Sequence, residues 1–312
     1  MDAIFLTSGD VIVDRRFEWA RDLEAKGDLA GAADVLSQTV ELKPDYGAAW
    51  FALGALREKL ADREGAIVAF EQARTCDPED RHGASLRLVR LGARAMAAMP
   101  EGYVRTLFDG YAISFDSALR QGLAYRAPEL MLRAVEASGA AMKFAAALDL
   151  GCGTGLGGVA FRPFCDSLAG IDLSPAMIVQ ARSKAVYDRL VEGEVLDFLV
   201  NEAAAGVRYD LILAADLFGY LDDLAPVLGA AARVLAPGGL LVFSAETHDG
   251  DGVILRDTLR YAHGVAHVRA ALAEAGLKAV SLDSASSRNE KGSPALGLIV
   301  VAGAALRPEK SD

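Results

Sequence analysis

Nine residues, Ala147 to Gly155, read ALDLGCGTG and restrict how everything after them can fold. An apolar run ends in Asp149, glycines follow at 151, 153 and 155, and a helical pattern begins directly afterwards. Glycine at alternate positions lets the backbone turn sharply and approach a ligand with no Cβ in between. The turn also aims the N–H groups of a helix start at that ligand. This is a nucleotide-type loop joining a first strand to a first helix. It departs from the dinucleotide fingerprint G-x-G-x-x-G, because one residue rather than two precedes the third glycine. A nicotinamide-dependent dehydrogenase is disfavoured for that reason.

From Phe144 onward, strand and helix patterns alternate. Strands are expected at 146–150, 167–171, 189–192, 209–214, 239–244, 280–283 and 296–302, with helices near 156–161, 175–187, 195–204, 223–235 and 264–275. Such alternation implies a parallel, doubly wound sheet. The last two strands are joined by the short polar segment SASSRNEKGSP, which suits an antiparallel hairpin. The expected fold is therefore α/β, a Rossmann-like seven-stranded, mostly parallel sheet with an antiparallel last strand.

The first hundred residues differ in kind. They are rich in Ala, Leu, Glu and Arg, with apolar residues at helical spacing. Pro44 and Pro78 stand 34 residues apart, each closing a helical stretch, and at that offset Ala20 maps to Gly54, Ala32 to Ala66, Leu36 to Phe70 and Trp19 to Leu53. The second unit, with Trp50, Leu53, Gly54, Ala66, Phe70, Ala73 and Pro78, resembles the tetratricopeptide repeat, although Arg57 replaces the large aromatic of that pattern. The first unit is weaker, with Arg16 in the place of Trp50. Residues 83–98 supply a capping helix. The division expected is 1–98 for the all-α repeat domain, 99–143 for connecting helices and a candidate lid, and 144–312 for the α/β domain. Such repeats imply a protein or peptide partner, or a homodimer.

Composition narrows the classes. A net charge of −11 argues against nucleic acid as the main partner. The apolar runs are broken by glycine and too short to span a bilayer. The start MDAIFLTSGDVIVDRR lacks a basic segment followed by an apolar one, so no secretory leader is expected. Cys76, Cys152 and Cys165 have no C-x-x-C spacing and read as reduced thiols of a cytoplasmic protein. The four histidines have no metal-ligand spacing, so no metal is expected.

LDLGCGTG, GIDLS ending the second strand, YDLILAADLFGYL around the fourth and RVLAPGGLLVF leading into the fifth together resemble the class I S-adenosylmethionine-dependent methyltransferases. The resemblance covers about residues 103–303, and the combination with the repeats is similar to bacterial repeat-containing methyltransferases. It implies S-adenosylmethionine as cofactor, leaving as S-adenosylhomocysteine. Gly151, Gly153 and Gly155, with Asp149 and Cys152, would line its methionine end. Asp172, with Leu173 beside it, would hold the ribose; Glu194, next to Val195, would receive the adenine amino group; and Asp216 would stand at the crevice mouth. Tyr111, Phe115 and Tyr125 suit a lid over the sulfonium, and equally suit packing between domains.

An acceptor that must lose a proton needs a base. His248, after the fifth strand, and His263, expected at a helix start beside Arg260 and Tyr261, are candidates, with Glu246 and Asp216 as acidic alternatives at the same sheet edge. Arg288 and Glu290 could meet a charged substrate, although their polar linker reads first as a solvated loop. The absence of N-P-P-Y after the fourth strand, where Ala215-Asp216-Leu217-Phe218 stands, disfavours a planar amine. A small-molecule, carrier-bound or protein acceptor stays open, as does a scaffold that binds cofactor without catalysis.

Overall fold

Asp28 and Asp62 stand 34 residues apart and start two helices in the same way. In the computed structural model, which describes residues 7–290 and 292–304, each carboxylate accepts a hydrogen bond from a glycine amide, Gly31 at 2.9 Å and Gly65 at 3.0 Å. Each thereby satisfies a helix-end donor that has no partner within the helix. The helices are α1 (Val11–Ala25), α2 (Leu29–Leu42), α3 (Gly47–Lys59), α4 (Arg63–Cys76) and α5 (Ala84–Arg90). Phe17 and Phe51, Ala20 and Gly54, Ala32 and Ala66, and Leu36 and Phe70 are buried alike at the 34-residue offset. Gly54 is there for closeness: a Cβ would sit 2.7 Å from the Phe70 ring. The pairing of Trp19 with Leu53 fails, since Trp19 is 55% exposed and Leu53 buried. The buried face of α1 runs through Val13, Phe17 and Ala20, and Trp19 points off it.

Residues 1–107 with 257–259 form one compact unit, and 108–256 with 260–312 the other. Residues 1–6, which carry part of the leader reading, and Lys291 of the last linker lie outside the described residues. Helix α6 (Glu101–Tyr111) leads to α7 (Phe115–Ser117), which runs into one π-helical turn at 118–122, and then to α8 (Ala127–Ala137).

The second unit is built on strands β1 (Phe144–Leu150), β2 (Cys165–Asp172), β3 (Arg189–Glu192), β4 (Tyr209–Ala214), β5 (Leu235–Glu246), β6 (Val253–Leu255), β7 (Tyr261–His263), β8 (Leu277–Ser284), β9 (Asn289–Glu290), β10 (Ser293–Pro294) and β11 (Gly297–Ala304). Seven of them form one sheet in the order β3-β2-β1-β4-β5-β11-β8. Strands β1 to β5 are parallel, and β11 runs antiparallel between β5 and β8. The expected Rossmann-like sheet is present. Helices α9 (Leu156–Phe161), α10 (Pro175–Ser183), α11 (Val195–Ala204), α12 (Ala225–Val234) and α13 (Val265–Glu274) complete the layers. Apolar strand residues such as Leu148, Ile212 and Phe243 meet Leu199, Leu228 and Leu272 in one core.

Three local features differ from expectation. The Pro237-Gly238-Gly239 turn is a bulge inside β5, which pairs with β4 through Leu235 before it and Leu240 after it. Helix α10 stops at Ser183 rather than 187, because Ala185 takes a left-handed φ of 52° and turns the chain away. Finally, β6 and β7 form a separate ribbon where a loop and helix start were expected.

Candidate active site

Asp149 is the last residue but one of β1 and is fully buried. Its Oδ2 accepts a 2.7 Å hydrogen bond from the Tyr187 hydroxyl, which in turn accepts from the Gly158 amide at 3.2 Å. Its Oδ1 has no partner. Burial disfavours the charge and pushes the carboxyl up to about 7. The chain can close around this pair because side chains are absent where it must: a Cβ on Gly157 would lie 2.9 Å from Asp149, and one on Gly158 2.4 Å from Tyr187. No local pattern marks Tyr187, since it meets Asp149 only after the chain has turned back at Ala185.

Gly151, Gly153 and Gly155 all adopt left-handed φ, at 62°, 54° and 92°. A Cβ on Gly151 would press on Leu217 at 3.1 Å and one on Gly155 on Tyr187 at 3.0 Å, whereas one on Gly153 would meet nothing nearer than Phe115 at 4.0 Å. The loop is therefore locked at both ends and open at its centre. Asp172, at the end of β2, accepts from the Gly153 amide at 2.8 Å and the Ser174 amide at 2.9 Å. Burial raises its pKa despite both bonds. Each oxygen keeps acceptor capacity toward a ligand.

The other expected cofactor residues divide. Glu194 is half-buried and caps α11, accepting from the Asp197 amide at 2.8 Å. Leu173 is half-buried beside Asp172. The side chain of Val195 belongs to the main core, and that of Cys152 packs with Ile178 and Ala181, where burial raises the thiol pKa. These two can offer a ligand backbone, not side chain. The Tyr111 ring is 45% exposed and closes over nothing.

The contacts of this segment with the glycine loop are made by neighbours of Tyr111. Asp109 accepts hydrogen bonds from the Ser174 hydroxyl and the Ala176 amide at the start of α10. Asp116 accepts from the Thr154 hydroxyl and pairs with Lys184 at 2.8 Å, and Lys184 also donates to the Thr154 carbonyl at 2.7 Å. Phe108 packs edge-on against both Phe115 and Tyr220. The segment from 108 to 119 is thus bolted by two aspartates to the glycine loop and to the helix after Asp172. Tyr125 is half-buried, and its raised pKa reflects burial first and then the Asp216 charge.

At the C-terminal edge of β4 and β5 lies an ion network. Glu246, 4% exposed, pairs with Arg256, Arg260 and Arg288. Asp216, itself at φ 59°, pairs with Arg288 at 3.2 Å and exchanges hydrogen bonds with Ser244. Glu290 pairs with Arg288 at 2.7 Å. Arg260 donates to the Tyr220 hydroxyl at 2.6 Å and lies over that ring. Burial raises and the arginines lower the Glu246 pKa, and the arginines prevail. Contrary to a solvated loop, Arg288 is only 6% exposed.

The histidine expectations are not met. His263 lies on β7, not at a helix start, and is fully buried; its Nε2 is 3.0 Å from the Phe218 carbonyl, and burial lowers its pKa. Tyr261 is equally buried, and burial pushes its phenol up to about 12. His248 turns its Nδ1 to the Gly250 amide at 3.1 Å and its Nε2 to the Gly252 carbonyl at 3.3 Å, so both ring nitrogens are engaged within its own loop. A cleft of about 750 Å³ beyond β5 is lined by His248, Asp251, Arg269 and Ser286, and by no glycine-loop residue. No group of residues suited to hold a metal occurs among the described residues.

Comparison with known proteins agrees with this geometry. A family model described as a methyltransferase domain matches residues 148–241. Nodulation protein S of Rhizobium tropici is 34% identical over 102 residues, 32% of this chain and 42% of that protein. Malonyl-acyl-carrier-protein O-methyltransferase of Pectobacterium atrosepticum is 29% identical over 97 residues, 31% and 37% of the two chains. The matches thus span less than half the length of these curated relatives. A solved S-adenosylmethionine-dependent methyltransferase from Clostridium acetobutylicum aligns with 64% of this chain and 99% of its own at a TM-score of 0.48 and 17% identity. Residues 148–241, from the end of β1 into β5, are thus similar to methyltransferase domains.

Proposed function

We propose that the chain transfers a methyl group from S-adenosylmethionine to an acceptor held at the C-terminal edge of β4 and β5. The observation that carries this reading is the pair of buried carboxylates flanking an open glycine turn. Asp149 has an unpartnered buried oxygen suited to an ammonium, and Asp172 has spare acceptor capacity suited to ribose hydroxyls. When bound, the cofactor supplies a methyl carbon activated by a sulfonium. The protein's part is to align, to exclude water and to present the acceptor. Phe115 over Gly153, and the bolts at Asp109 and Asp116, suit the exclusion.

The helical unit, with its 34-residue recurrence, is proposed to be a pair of tetratricopeptide-type repeats that binds a protein or peptide, or a second copy of the chain. No described helix is long and apolar enough to cross a membrane. Calorimetry with S-adenosylmethionine tests the main reading: binding is expected in the wild type and lost in Asp172→Ala. Absence of binding to the wild type would sink it.

A further inference from the structure

Each described group that could take a proton from an acceptor at this edge is committed or enclosed. His263 is fully buried, with Nε2 on the Phe218 carbonyl and Nδ1 unpartnered but shut away from solvent, and His248 has both nitrogens engaged in its own loop. Glu246 is held by three arginines, Asp216 by Arg288 and Ser244, and Glu290 by Arg288. A hydroxyl acceptor titrates far above neutrality and an ammonium must shed its proton before it can attack, so both need a free base. A carboxylate needs none, being ionised well below pH 7.

The same edge presents what a carboxylate binds. A guanidinium has five N–H donors in a fixed fork. Arg288 directs one Nη1 hydrogen bond to Asp216 and Nη2 hydrogen bonds to Glu246 and Glu290, which leaves its Nε–H and one Nη1–H. Arg260 is spread over Glu246, the Tyr220 hydroxyl and the Asp216 carbonyl. Tyr125 is brought beside Arg288 by backbone hydrogen bonds from the Arg126 amide to the Ser287 carbonyl at 2.8 Å and from the Asn289 amide to the Leu123 carbonyl at 2.7 Å.

We infer, resting on the methyl-transfer reading above, that the acceptor is a carboxylate, esterified at the edge formed by Tyr125, Arg260 and Arg288. One carboxylate oxygen takes a free Arg288 donor while the other directs its lone pair at the methyl carbon. The new C–O bond forms as the C–S bond breaks, its electron pair stays on sulfur, and no proton moves. The anion becomes a neutral ester, which the guanidinium holds weakly. Asp216, Glu246 and Glu290 hold the arginine throughout, so its charge stays balanced when the neutral product leaves.

The test uses the full chain with methyl-labelled S-adenosylmethionine and the small-molecule and protein fractions of a bacterial extract, followed by mild alkali. Methyl esters release volatile labelled methanol under alkali, whereas methylated amines, ethers and carbon atoms keep the label. Most transferred label is expected to be alkali-labile. Arg288→Lys, which keeps the charge but loses the fork, is expected to lower kcat/KM by about tenfold, mainly through KM, with donor affinity unchanged. Tyr125→Phe, outside the ion network, is the second variant, with an expected loss of about threefold. Donor binding by calorimetry without alkali-labile transfer overturns the carboxylate and spares the methyl-transfer reading. Failure of the wild type to bind donor overturns the reading itself.

Discussion

Asp149→Asn isolates the most unusual electrostatic feature of the domain. In the folded chain burial holds this carboxyl at about 7, against an ordinary 3.8. Between those values the unfolded chain gives up its proton while the folded chain keeps it. Stability contributed by this residue therefore falls as pH rises through the window from about 4 to 7, and is level above it. Roughly three units at about 1.4 kcal/mol each set an upper bound of about 4 kcal/mol on the cost of the charge at pH 8. Asparagine retains an oxygen for the Tyr187 hydroxyl and cannot ionise. Relative to wild type, the variant should gain little near pH 4 and about 2–4 kcal/mol at pH 8. The assay is urea unfolding across that range, following the transition that moves when S-adenosylhomocysteine is added. The same substitution removes the anion offered to the donor's ammonium and should weaken donor binding by at least about tenfold, the effect of a lost charged hydrogen bond. A stability difference independent of pH would refute the argument, because only a group titrating differently in the two states produces the slope.

Glu246→Gln leaves Arg256, Arg260 and Arg288 with only Asp216 and Glu290 to share between them, and should cost about 3 kcal/mol, the penalty of an undercompensated buried charge; an unchanged melting temperature would show that the network relaxes into water. His248→Ala should leave methyl transfer within about twofold of wild type, since the ring serves its own loop; a loss of a hundredfold or more would restore it as a base. Asp116→Asn removes the Lys184 ion pair, a partly exposed contact of at most about 1 kcal/mol. Stopped-flow donor binding should then show association and dissociation both accelerated a few-fold, and unchanged rates would mean that this bolt does not govern access.

What could be read from the residues was whatever is encoded locally. The glycine turn, the carboxylate at the end of β2 and the 34-residue recurrence depend on spacing along the chain, and all three are found. The buried pairs at the repeat offset follow from small residues where helices approach, and Trp19 misled because alignment by offset ignores which face of α1 it occupies. Long-range chemistry was not legible. Tyr187 lies 38 residues from Asp149, and Arg288 lies 42 from Glu246. Neither distance has a period. The ribbon of β6 and β7 escaped for another reason: strands of three residues are too short to show alternation, so His263 was taken for a helix start when it belongs to a strand buried beneath the edge.

These misses share a direction. Histidines are the residues that titrate near neutrality when unperturbed. The fold instead encloses His263 on a backbone carbonyl and ties His248 into its own loop, and places at the sheet edge a network of carboxylates and arginines. Arginine stays protonated at any working pH, it keeps Glu246 ionised, and it pairs with Asp216. A site built this way can orient an anion and exclude water, but it cannot ferry protons. Its titratable carboxyl, Asp149, lies instead beside the glycine loop at the end of β1. The proposed methyl transfer would tolerate that separation because the donor arrives already activated: pH control would belong to donor binding at Asp149, and acceptor selection to the arginines. A pH profile of donor affinity with its inflection near 7, in a protein whose saturated turnover is flat over the same range, is what this division of labour requires.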